Sequence, residues 1–370
     1  METLQVLDLP ISREDFAQLE AIVRDREPFL IAPSNIADAY DLAEYCRAAA
    51  FDSVRLCVLL DNNVLTRAVA FAQGSPLSNS IETRRVERLV AAEMAFLLLS
   101  DFLVEPNIAF YEKAWRSSHE AALEQLRSFR IADHIHPQHY IDVALERTTR
   151  IPTTALREAE AAAAPIAESV NESNFSKTLD QWQLGYLFCL RAAELWRSPG
   201  RPIDKAMALL TWMRTDSFFS AVSAVFGLLL FSPSRPGKIF KGIGSDNAAR
   251  VRDGAQNAAW DCVYLKHWTR RAAQSGRDHI WFLCTNDTAV KSVGSALFLY
   301  EDEEPEAALF RQLKRCWGHA DAIRLFEHYQ SETNRADTET VDREATVKER
   351  VARISEMVSE LEKKLRIKEI

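Results

Sequence analysis

"VLLDNNVL", Val58–Leu65, decides how the chain is read. An apolar run ends on an aspartate, two asparagines follow, and the apolar character then resumes. The preceding residues extend the run to "SVRLCVLL" (Ser53–Leu60), nearly all apolar and rich in valine and leucine. That composition suits a strand covered by helices on both faces of a parallel sheet. Asp61 then has two readings. It caps the next helix, or it is a metal ligand at the sheet rim, where open α/β folds collect their ligands.

A second apolar run, "HIWFLCTND", also ends on an aspartate, Asp287. Between the two, "ETRRVERLVAAEMAFLLLSDF" from about Glu82 reads as a helix. "FLVEPNIAFYEKAW" reads as a short strand at Leu103 and Val104, a break at Pro106, and a helix carrying Glu112. Strand, helix, strand, helix is the signature of an α/β fold. From about Ser117 to Leu229 strand signals vanish and helical stretches follow one another; "FFSAVSAVFGLLLF" (Phe218–Phe231) reads as a buried helix running into a strand. The α/β pattern returns with the helix "RVRDGAQNAAWDCVYLKHWTRRAAQ".

The expected organisation is a helical extension over 1–50 and a parallel α/β domain in two parts, 51–116 and 231–330. A helical insertion occupies 117–230 and a tail 341–370. In the tail, Val347, Val351, Ile354, Val358, Leu361 and Leu365 are spaced by four, three, four, three and four. That is a heptad seam, predicting a coiled coil that pairs subunits or binds a regulator.

The chain of 370 residues is 47% hydrophobic and 26% charged, values of a globular protein with a sizeable core. A formal net charge of −8 gives no general attraction to nucleic acid, while leaving room for a local basic groove. Six scattered cysteines without a C-x-x-C pair read as buried reduced thiols of a cytoplasmic protein. The N-terminus has no signal-peptide pattern, and no apolar run reaches the ~20 residues that span a bilayer, so no membrane partner is expected. Neither G-x-x-x-x-G-K-[ST] nor G-x-G-x-x-G occurs, which disfavours a nucleotide motor or dinucleotide enzyme.

Two further acids fall where apolar residues belong: Asp261 in "NAAWDCVYL" and Glu112 in "IAFYEKAW". A buried carboxylate is costly without a partner, and one divalent cation satisfies several at once. Oxygen ligands without histidine or cysteine indicate Mg2+ or Mn2+. Such sites hydrolyse phosphodiesters by activating water and steadying the leaving oxygen. Each acid also has a plainer reading: Asp61 as a cap, Glu112 as a half-exposed helix acid, Asp261 as partner of a buried arginine, Asp287 as a turn former. Just before the Asp261 helix, "RPGKIFKGIGSDNAARVRD" offers Arg235, Lys238, Lys241, Arg250 and Arg252 as phosphate contacts. Asn257, one turn ahead of Asp261, is placed to bond its carboxylate or a base.

Asp61 in "LLDNNVL", Glu112 in "PNIAFYEKA", Asp261 in "NAAWD" and Asp287 in "CTND" together resemble the PIN domain, an α/β nuclease family. The resemblance covers roughly residues 52–112 and 238–295. It implies an endoribonuclease dependent on Mg2+ or Mn2+. Asp61 and Asp261 would be the main ligands and Glu112 (or Glu93 or Glu105) and Asp287 would complete the site. Asn62, Thr285 and Asn286 would orient carboxylate or water. Single-stranded RNA is the implied substrate, and a toxin or antiphage effector with a regulator or antitoxin the implied role. The competing expectation is a non-catalytic scaffold acting through its helical insert and coiled coil. "RIADHIHPQHY" gathers Asp133, His134, His136 and His139, read as a surface loop rather than zinc ligands; Arg130 and His136 loosely resemble the R-x4-6-H motif of HEPN ribonucleases.

Overall fold

The computed structural model describes residues 11–31, 38, 40–41, 43–45, 54–170, 173–177, 179–235, 238–274, 278–297, 305–338 and 347–367. Cys46 and parts of the helical extension expected over 1–50 lie outside them. Helix dominates, with one small four-stranded sheet among the described residues. The chain divides into two compact units, Met1–Lys177 with Arg270–Asn286, and Thr178–Thr269 with Asp287–Ile370.

The first unit holds the sheet. Helix α1 (Arg13–Arg26) starts where Ser12 Oγ accepts the Asp15 N–H and stops at Glu27, whose φ of 45° breaks the helix. Strand β1 (Phe29–Ile31) follows, then β2 (Arg55–Leu60), α2 (Asn62–Ala72), α3 (Ile81–Leu99) and β3 (Leu103–Glu105). Helices α4 (Asn107–Arg116), α5 (His119–Ala132), α6 (Pro137–Ala144) and α7 (Thr153–Val170) come next, and β4 (His279–Cys284) returns from far along the chain. The spatial order is β1-β4-β2-β3. Strands β2 and β4 pair in parallel from Arg55↔His279 to Leu60↔Cys284, and each buries its last five residues. This is why both read as unbroken apolar runs.

The sheet is mixed, whereas the sequence suggested parallel strands throughout. Strand β3 pairs parallel to β2, but β1 runs antiparallel to β4, Phe29 opposite Cys284. Aromatic rings fill one side: Phe282 meets Phe102 at 4.8 Å, Tyr45 at 5.3 Å and Phe29 at 6.1 Å between centroids. Phe96 of α3 joins these rings, and α3 packs on α1 and α6, while α5 packs on α2, α4 and α7.

The second unit is helical among its described residues: α8 (Asp180–Arg197), α9 (Pro202–Thr215), α10 (Ala221–Leu230), most of α11 (Ala248–Gln274), α12 (Thr288–Leu297), α13 (Pro305–Trp317), α14 (His319–Thr338) and α15 (Val347–Lys364). Helices α8 and α11 approach closely at Gly185; a Cβ there would stand 3.2 Å from the Ala259 carbonyl oxygen. The strand expected at the end of Phe218–Phe231 is corrected: α10 runs to Leu230 and, among the described residues, no strand lies between it and α11.

The tail also differs from expectation. Helix α15 packs on α8 of the same unit, with Ile354, Leu361 and Leu365 buried. Tyr186 donates to Glu362 at 3.1 Å and Lys364 pairs with Glu194 at 3.3 Å. The heptad positions thus find their apolar partner inside the chain. Cys57, Cys189, Cys262, Cys284 and Cys316 are buried thiols. Among the described residues no helix is long and apolar enough to cross a membrane.

Candidate functional site

Asp61 caps the following helix from the rim of the sheet. Its N–H extends the ladder to the Cys284 carbonyl at 3.0 Å, and its own carbonyl accepts the N–H groups of Val64 and Leu65. The backbone therefore leaves the strand and enters α2 within one residue. The side chain caps that helix, Oδ1 accepting the Asn63 N–H at 3.3 Å and Oδ2 the Asn63 amide at 3.4 Å. The carboxylate also reaches the next strand: Thr285 Oγ1 donates to Oδ2 at 2.8 Å. Thr285 is fully buried, and its N–H is fixed by the Pro28 carbonyl at 2.9 Å. An acid only 8% exposed is thus held at the carboxyl ends of two parallel strands.

Around this pair, Asn62 opens α2 half-buried and accepts from Thr66 Oγ1 at 3.3 Å. Asn286 follows Thr285, its side-chain nitrogen buried without a hydrogen-bond partner among the described residues. At the end of β3, Glu105 receives Arg271 at 2.9 Å. Glu93 is wholly buried on α3. Glu112 is the buried acid that the pattern suggested, but Arg116 one turn later donates to it at 2.7 Å. An arginine holds the charge that the sequence reading gave to a cation. The i,i+4 spacing of Glu112 and Arg116 was a signal available in the sequence.

In the second unit, Asp261 and Asn257 lie half-exposed on one face of α11, between buried neighbours Trp260 and Cys262. Burial and the neighbouring Cys262 push the Cys189 thiol well above its usual range, with the Asp261 charge adding to the effect. Asp287 caps α12, accepting the Ala289 N–H at 2.7 Å, while Lys241 Nζ stands 3.9 Å from its other oxygen. Among the described residues no group of three or more His, Cys, Asp or Glu side chains is arranged to hold a metal ion. That includes the histidine stretch, where His134 bonds the Arg130 carbonyl at 2.7 Å and His136 caps α6.

Of the basic residues singled out, Lys238 and Lys241 line a cavity of about 590 Å³ with Arg235, whereas Arg250 and Arg252 sit on the first turns of α11 outside that lining. Arg252 lies 3.7 Å from the Asp253 carboxylate. No protein-family model, curated protein or solved structure matches the chain.

Proposed function

We propose that the chain is a PIN-like phosphodiester hydrolase acting on RNA, organised around Asp61 and assisted by Mg2+ or Mn2+. The observation that supports this is the buried Asp61 carboxylate at the strand ends, with the Thr285 hydroxyl on one oxygen. Glu112 is committed to Arg116 and Asp287 to its helix, so the described residues do not form a four-carboxylate cage. They suit the looser arrangement usual for Mg2+, one or two carboxylates with water completing the shell. A bound divalent ion would polarise a phosphoryl oxygen and acidify water. The chain's own contribution is orientation. Thr285 fixes the Asp61 carboxylate, the opening turn of α2 presents a partial positive charge to an anionic phosphate, and the amides of Asn62 and Asn286 supply donors.

The test is Mn2+ titration of the full chain beside cleavage of single-stranded RNA. Wild type binds Mn2+ and leaves 5′-phosphate ends; Asp61→Asn loses both. Wild type that neither binds Mn2+ nor cuts at micromolar concentration would overturn the reading. It would leave the second one, a non-catalytic interaction protein, which the structural use of Glu112 and Asp287 favours.

A further inference from the structure

The second unit carries a cationic cavity lined by Arg235, Lys238 and Lys241, three of the residues that the sequence offered as phosphate contacts. Among the described residues it is lined by 233–235 and 238–244, between α10 and α11, together with Trp196 and Leu230. Ile239, Phe240 and Ile243 are buried pins, 3–5% exposed, that fasten this segment to the unit. The intervening Lys238 and Lys241 are left exposed. Gly242 turns the chain at φ 82°, where a Cβ would stand 2.7 Å from the Arg250 carbonyl oxygen. The Lys241 carbonyl seats on Gly254 of α11 in space that a Cβ would fill. Arg197 donates to the Ser245 carbonyl at 2.8 Å, and Asn247 Oδ1 accepts the Ala249 N–H at 2.9 Å, which fixes the segment's exit into α11. The loop is therefore shaped before any ligand arrives.

Its charges have little to balance them. Arg235, Lys238 and Lys241 line the cavity, and no carboxylate does among the described residues. Arg235 lies over the Trp196 ring at 4.5 Å, a cation–π contact that orients the guanidinium without neutralising it. Lys238 has no ion-pair partner among the described residues, and Lys241 has only the long contact to Asp287 at 3.9 Å. In a chain of net charge −8, three cations around one hollow of about 590 Å³ focus a positive potential. That volume is typical of small-molecule sites, about 300–1,000 Å³.

We propose that this cavity binds a small polyanion carrying two or more linked phosphate groups, of the pyrophosphate or polyphosphate class, including the phosphate tail of a nucleoside triphosphate. Charge recognises the phosphates. Trp196 is already engaged by Arg235 and by Phe231, whose ring is stacked at 6.1 Å, so the cavity does not offer the run of open aromatic faces that a nucleic-acid strand stacks on.

The test is isothermal titration of the full chain with inorganic pyrophosphate and with a nucleoside triphosphate, in EDTA. Orthophosphate and a single-stranded RNA oligonucleotide serve as comparators. Pyrophosphate and the triphosphate are expected to bind saturably and more tightly than orthophosphate. The double variant Lys238→Glu, Lys241→Glu is expected to weaken binding at least about tenfold with unchanged circular dichroism and melting temperature, and Arg235→Ala to weaken it less. Absent binding, binding unmoved by both variants, or an oligonucleotide that binds these cations more tightly than the triphosphate would each overturn the proposal. Asp61→Asn should bind like wild type, so failure here and failure of the hydrolase reading show separately.

Discussion

The sheet edge and the loop before α11 both present ionic groups, but the first hides its charge and the second displays it. Asp61 is buried, accepts hydrogen bonds from a hydroxyl, a side-chain amide and a main-chain N–H, and starts a helix. Lys238 and Lys241 stand in solvent on a loop whose stability comes from the apolar residues between them. The difference teaches where chemistry and folding are separable. A buried charge is part of the fold, and its removal disturbs both. An exposed charge on apolar pins can be removed with the scaffold left standing.

Substitutions can break that contrast, beginning with the largest expected effect. Asp61→Ala removes a cap and leaves the buried Thr285 hydroxyl without its acceptor, at about 2–3 kcal/mol in urea unfolding. Asp61→Asn keeps one oxygen to accept the cap N–H of Asn63 and places an NH2 that can donate to the Thr285 hydroxyl instead of accepting from it, so it should cost less, about 1 kcal/mol. Equal losses for the two would mean that the charge itself holds the strand ends. Gly254→Ala should come next, since its Cβ meets the Lys241 carbonyl. An overpacking cost of about 1–3 kcal/mol is expected, with polyphosphate affinity falling because the loop must lift. Thr285→Val, which keeps the shape and deletes the hydroxyl, should cost about 1–2 kcal/mol.

A smaller effect of opposite sign is expected at Asp133, whose carboxyl is pushed above the usual range chiefly by burial, with Arg130 and His134 opposing. Its charged form is therefore penalised in the folded state. Stability is greatest below the unfolded value near 3.9 and declines as pH rises through the folded one. Asp133→Asn should raise the melting temperature slightly at neutral pH, and the gain should vanish below about pH 4. Lys238→Ala should be nearly silent, within about 0.5 kcal/mol. A loss as large as that of Asp61→Ala would collapse the contrast.

The parts legible in the sequence were those set by local pattern. Strands β2 and β4 showed as apolar runs because helices cover them, and Asp61 showed as the residue that ends one and starts a helix. Strand β1 was not legible, because three residues after a helix carry no periodicity, and its antiparallel pairing is a long-range event. The heptad spacing was read correctly as an apolar stripe. Spacing does not say whether the stripe faces another chain or, as here, α8. The cradle at Gly242 and Gly254 was equally hidden, since each glycine answers to a carbonyl distant in sequence. Among the expected ligands, Glu112 is a buried acid to which the chain supplies an arginine, and Asp287 caps its helix; the sequence pattern alone does not separate these uses from metal binding.

Because α15 lies along α8, the final helix is a structural wall and not an appendage. A chain cut before Val347 would bare the groove that holds Ile354 and Leu361 and strip Tyr186 of its carboxylate acceptor. Shortened versions of this protein would therefore become sticky and prone to clump, and any loss of function seen in them would report on exposed grease instead of on a missing partner.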